Sequence, residues 1–155
     1  MRGARISAFV VFCSLAAPRL IAQASAAPDP CRLLTAAEVS SVVGIKSLAG
    51  RPYLGSKRVC LFSPDTSADS EQPVVNLMVE TPAMYQAAKN TFPPHAVSGL
   101  GDEAYWSGSG SYAKVAVRKG SRAFTITIAM GKVQKTQEQI EQMEEALARK
   151  AVARI

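Results

Sequence analysis

The chain has 155 residues, 48% of them hydrophobic and 19% charged, with a formal net charge of +6. That balance excludes a disordered chain and fits one ordinary domain with a single core. Arg2, Arg5 and Arg19 sit near the start, and the remaining 15 Lys+Arg face 12 Asp+Glu, a net of about +3 that is scattered along the sequence. Nucleic-acid binding uses a concentrated basic stripe with interleaved aromatics, so nucleic acid is not an expected partner.

Residues 1–26 read as a secretory signal peptide. Met1 to Arg5 is a short basic region, and Ile6 to Ala17 is an uncharged run of 12 residues. Such a run matches a signal core and is too short to span a bilayer. Pro18 breaks it, and Arg19 argues against a retained anchor. Small residues at Ala22, Ala24 and Ala26 mark cleavage after Ala24 or Ala26. A lipid-anchored product needs a cysteine after a small residue at the end of the run. Cys13 follows Phe12 and Cys31 follows Pro30, so neither fits. The expectation is an extracytoplasmic protein, periplasmic or secreted, with no stable transmembrane span after cleavage. Residues 27–30 form a short tether, and residues 31–155 form one domain.

Loss of the leader leaves Cys31 and Cys60. In an oxidising compartment such a pair is expected to form one disulfide. Closing a loop of about 30 residues corresponds to roughly 3.6 kcal/mol in the chain-entropy treatment. The alternative, a metal site, has only these two cysteines and the distant His95, too few ligands at the wrong spacing for zinc. No metal or other cofactor is expected.

Thr35-Ala36-Ala37-Glu38 is a capping box that opens a short helix, with Val39, Val42 and Val43 on one face and Gly44 as its stop. A weakly extended segment, Ile45 to Leu54, leads through a Gly55-Ser56-Lys57 turn to a strand at Arg58 to Ser63. Pro64 to Pro73 is a polar loop, and Val74 to Glu80 is a strand. Thr81-Pro82 starts another short helix that ends by Pro93-Pro94. His95 to Glu103 reads as a loop. Strand signals resume at Ala104 and are strongest from Tyr112 to Met130, where period-two alternation on both sides of Lys119-Gly120-Ser121 indicates a hairpin. Thr136 and Gln139 cap a final helix with Ile140, Met143, Ala146, Leu147, Ala151 and Ile155 near one stripe. Its acids Glu141, Glu144 and Glu145 come early and its bases late, matching the helix dipole. The fold class is therefore α+β: an antiparallel sheet with helices packed on one face, held by one disulfide.

The order Cys31-Arg32-Leu33-Leu34-Thr35, Cys60-Leu61-Phe62, Gly99-Leu100-Gly101-Asp102-Glu103-Ala104-Tyr105-Trp106 and Val117-Arg118-Lys119-Gly120 resembles a family of small bacterial envelope proteins known as a domain of unknown function. The likeness runs from Cys31 to Ile155. It implies an α+β fold and a linked cysteine pair, and it carries over no catalytic residue. Many members are lipoproteins; this chain differs in lacking a lipobox cysteine.

The chemistry-bearing motifs are few. Gly99 to Glu103 has the glycines of a phosphate loop, but the acids that follow would repel phosphate, and the loop lacks an EF-hand pattern. A tight turn into a strand is the simpler reading. His95, Asp102 and one of Ser107, Ser109 or Ser111 could compose a triad, but no nucleophile elbow accompanies them. Tyr105, Trp106 and Tyr112 either close the edge of the core or line a ligand or partner surface. Lys114, Arg118, Lys119 and Arg122 form a basic hairpin face, either merely solvated or able to attract anions. The leading expectation is a non-enzymatic module that binds another envelope protein or a small ligand. The alternatives are a hydrolase using Asp102 and Glu103, or a structural envelope component.

Overall fold

The computed structural model describes residues 27–64, 73–91, 94–109 and 112–155. The signal-peptide reading and most of the polar loop after Pro64 lie outside the described residues. A four-residue helix α1 (Pro30–Leu33) leads into α2 (Ala36–Val43). Asp29 accepts a hydrogen bond from the Cys31 amide, and Pro30 is buried, so the last two tether residues belong to the fold. The Thr35 hydroxyl accepts from the Glu38 amide while the Glu38 carboxylate accepts from the Thr35 amide, and Gly44, at φ +74°, ends the helix. Here glycine is suited because a left-handed residue closes the last turn without a Cβ penalty.

Among the described residues seven strands follow: β1 (Ala49–Pro52), β2 (Val59–Ser63), β3 (Val75–Glu80), β4 (His95–Ala96), β5 (Glu103–Ser109), β6 (Tyr112–Lys119) and β7 (Arg122–Ile128). Helix α3 (Pro82–Thr91) comes between β3 and β4, and α4 (Met130–Val133) and α5 (Gln137–Val152) close the chain. The strands form one antiparallel sheet in the order β1-β2-β3-β7-β6-β5-β4. Two meanders, β1 to β3 and β4 to β7, thus meet where β3 pairs with β7. The alternation read from Tyr112 onward is the β6–β7 hairpin, but β7 stops at Ile128, and Met130 opens α4 instead of extending the strand.

Register lines up a continuous row across one face of the sheet: His95, Trp106, Val115, Ile126, Leu77, Cys60 and Pro52. Its interior members are buried beside Phe62, Val79, Val117 and Phe124, and the α5 stripe of Ile140, Leu147, Ala148 and Ala151 packs with them. Burial of that apolar area is the main stabilising contribution. The Cys31–Cys60 disulfide joins α1 to β2 at the far end of this row, with Cys60 fully buried. Arg154, just past α5, donates to the Leu33 carbonyl at 2.7 Å and to both Glu38 carboxylate oxygens at 2.8 and 2.9 Å, tying the end of the chain to α1 and α2. Those guanidinium bonds, with the capping bond from the Thr35 amide, hold the Glu38 carboxyl down at about 2.

The helices do not all share one layer. Tyr105 and Trp106 are adjacent on β5 and so point to opposite faces. Trp106 lies on the α5 side, whereas Tyr85 of α3 packs on Tyr105 with ring centroids 5.1 Å apart, over Ala116 and Ala123. Helix α3 therefore covers the face opposite α5. Burial raises the phenol pKa of both tyrosines, that of Tyr105 to about 12.

Candidate functional site

A groove of about 420 Å³ opens at the β4 edge of the sheet. One wall is His95, Ala96 and Val97; the floor is Trp106; the other wall is Gln137, Glu141 and Glu145 of α5. The three α5 residues are spaced four apart, which puts them in one line along the helix. His95 pairs with Trp106 in register, their ring centroids 6.3 Å apart. Glu141 accepts a hydrogen bond from Gln137 Nε2 at 3.3 Å, and Glu145 forms an ion pair with Arg149 at 3.4 Å. The groove thus offers two carboxylates and an imidazole over an apolar floor.

Trp106 is fixed from below by Glu144. The carboxyl accepts from Trp106 Nε1 at 3.1 Å and from the Ile128 amide at 2.9 Å, and it is 0% exposed. Burial pushes its pKa up to about 8 against the two hydrogen bonds, and the nearby Glu141 adds to the rise. At neutral pH the group is mostly protonated. Sequence reasoning placed Glu144 among the dipole-matching acids; its role here is to orient the indole that floors the groove. The signal was present in the spacing: Glu144 lies four residues after Ile140 and three before Leu147, inside the apolar stripe.

The other candidate residues divide. Asp102 accepts from the Gly120 amide at 2.6 Å, and its own amide donates to the Arg118 carbonyl at 2.9 Å. Glu103 forms ion pairs with Lys89 and with Arg118, which lower its pKa in that order of importance. Both carboxylates are therefore committed to holding the β5 entry against β6, the β6–β7 turn and α3. Lys119 donates to the Val152 and Ile155 carbonyls at 3.0 Å each, where it complements the negative end of α5. Lys114, one of the proposed surface cations, is half-buried on the α3 side. The Tyr112 side chain lies outside the described residues. The proposed aromatic surface is thus split: Trp106 reaches the groove, and Tyr105 is buried under α3.

The turn before β5 is built around Leu100, which is buried in the core. Gly99 and Gly101 flank it at φ +70° and +66°. A Cβ at Gly101 would lie 2.5 Å from the Arg118 carbonyl oxygen, whereas one at Gly99 would meet nothing within 4 Å. Gly101→Ala is accordingly expected to destabilise the fold by at least about 2 kcal/mol, and Gly99→Ala by only about 1 kcal/mol. Denaturant midpoints of the two variants check this; equal effects would show that the close approach at Gly101 is unimportant.

Among the described residues no group of three or more His, Cys, Asp or Glu is placed to hold a metal ion. Nor does any described helix have the length and apolarity to cross a membrane. No family model matches the chain, and no curated protein matches it.

Proposed function

We propose that this protein is an exported, non-enzymatic binding module, and that the groove over Trp106 takes a cationic group with an apolar body. Such a group could belong to a basic segment of another envelope protein or to a small organic cation. The observation that carries the reading is the pairing of Glu141 and Glu145 with the flat, anchored indole of Trp106. Carboxylates supply charge complementarity, and an apolar floor supplies area and cation–π contact. The leader-like sequence of residues 1–26 and the Cys31–Cys60 disulfide support an extracytoplasmic setting, where reducing agents do not open such bonds. Hydrolysis by Asp102 and Glu103 has less support, because neither lines the groove and both join β5 to the β6–β7 turn, β6 and α3.

Calorimetric titration tests this with two probes, an arginine-rich peptide and a glutamate-rich peptide of equal length. Saturable heat is expected with the basic peptide alone, weakening as salt screens the charges. Equal binding of both peptides, or of neither, would overturn the reading. Export is tested separately by N-terminal sequencing of the protein outside the cytoplasm, which should begin at Ser25 or Ala27.

A further inference from the structure

Among the described residues, three large apolar side chains stand out of the surface: Tyr53 at 51% exposed, Leu54 at 80% and Met84 at 39%. Tyr53 and Leu54 form the tip between β1 and β2, in the 3-10 turn Tyr53–Gly55. Antiparallel register sets the end of β3 beside the start of β2, so α3 begins next to this tip. Arg58 closes the corner: its Nε donates to the Val79 carbonyl at 3.4 Å and its Nη2 lies 2.7 Å from Met84 Sδ. All three exposed apolar groups thus share one corner of the molecule.

Two features set this corner apart from ordinary scattered exposure. Leu54 adopts φ +46°, a left-handed conformation that glycine takes freely and leucine does not. A branched apolar residue is therefore held, against its backbone preference, where it touches solvent most. Beside it lie exposed Lys57 and Arg58. The nearby acid Glu80 is buried, with burial raising its pKa, and its Oε1 accepts from the Thr125 hydroxyl at 3.2 Å, so it is turned inward, away from the exposed Lys57 and Arg58. An aromatic, a leucine and a methionine ringed by cations match the chemistry of an anionic bilayer surface. There the apolar groups enter the headgroup boundary and the cations meet the phosphates.

We infer that the corner formed by Tyr53, Leu54, Lys57, Arg58 and Met84 docks the protein reversibly on an anionic membrane surface. The corner lies at the β1–β2 edge of the sheet, and the groove lies at the β4 edge. Docking would therefore leave the groove facing away from the lipid. This inference does not depend on the groove reading, and the two fail separately.

Vesicle flotation of the protein, in the form its cell leaves it, tests the inference. Binding is expected to mixed phosphatidylcholine–phosphatidylglycerol vesicles, to weaken with salt, and to be absent with phosphatidylcholine alone. Leu54→Gly is the decisive variant, because it relieves the left-handed strain while removing the apolar contact. It should keep or raise the melting temperature yet lower vesicle affinity by roughly tenfold or more. Lys57→Glu, which removes a cation and adds an anion at such a surface, should lower affinity by roughly thirtyfold. Absence of binding to the anionic vesicles would overturn the inference, as would unchanged binding by Leu54→Gly. Capture of a protein partner through this corner, with no vesicle binding, would overturn the bilayer as its occupant.

Discussion

Glu144→Gln is expected to stabilise the protein at pH 8 and to destabilise it at pH 4.5. The folded protein holds the Glu144 proton up to about 8, against an ordinary 4.5. Because the folded pKa is raised, the folded state binds more protons than the unfolded state between these values. Stability from this group is complete below pH 4.5, declines as pH rises, and is lost by about pH 8. The gap corresponds to about 5 kcal/mol at 1.36 kcal/mol per pH unit, as an order of magnitude. Glutamine has no proton to hold and so removes this decline. Its oxygen can accept from only one of the Ile128 and Trp106 donors, and the hydrogen bond it loses costs about 1 kcal/mol at any pH. The variant should therefore be weaker by about 1 kcal/mol in acid and stronger by a few kcal/mol in mild alkali. Denaturant melts at several pH values test the crossing. Emission from Trp106, which donates to this carboxyl, should titrate near pH 8 in the parent and stay flat in the variant. Parallel stability curves for the two proteins would refute the buried proton.

Removing the disulfide is expected to cost several kcal/mol of stability independently of pH. Cys31 and Cys60 are 29 residues apart, and the chain-entropy treatment gives about 3.6 kcal/mol for such a loop. For a domain of this size that is a fall of about 10–15 °C in melting temperature. Cys60 lies wholly inside the core beside Leu77, so serine there would add a buried hydroxyl, at about 1–3 kcal/mol if it finds no partner. The paired Cys31→Ala and Cys60→Ala variant separates the link from the polarity. Thermal melts of that variant and of the reduced parent should agree to within a few degrees. A negligible fall in both would mean that α1 is held to β2 by packing alone.

Those features that follow from local spacing were legible in the sequence. Thr35–Glu38 and Thr136–Gln139 cap their helices, because a capping box needs only four consecutive residues. The β6–β7 hairpin announced itself by alternation on both sides of Gly120. By contrast, β4 has two residues, too few to carry a period, and its pairing with β5 depends on the turn around Leu100. The position of α3 was hidden for another reason: Tyr85 is its one buried residue, so the helix shows no stripe to say which face it covers. The candidate site was half visible. Trp106 stood out as a lone tryptophan in a strand, but its groove is made by α5 residues more than thirty positions away. Glu144 fits the helix dipole as an acid, but its place in the apolar stripe between Ile140 and Leu147 is the signal that it points inward, and its partners Trp106 and Ile128 come only with the sheet. Asp102 and Glu103 drew attention as neighbouring carboxylates, yet their bonds to Gly120, Lys89 and Arg118 are long-range and cannot be read from adjacency.

Trp106 is the only tryptophan in the chain, so its emission reports on the floor of the groove without interference. Titrating the parent protein with the arginine-rich peptide while following that emission tests the groove most directly. A saturable shift is predicted for the parent, and its loss in the Glu141→Gln, Glu145→Gln double variant. An emission spectrum that never changes, or one that changes equally in the double variant, would contradict the groove over Trp106 as the binding site.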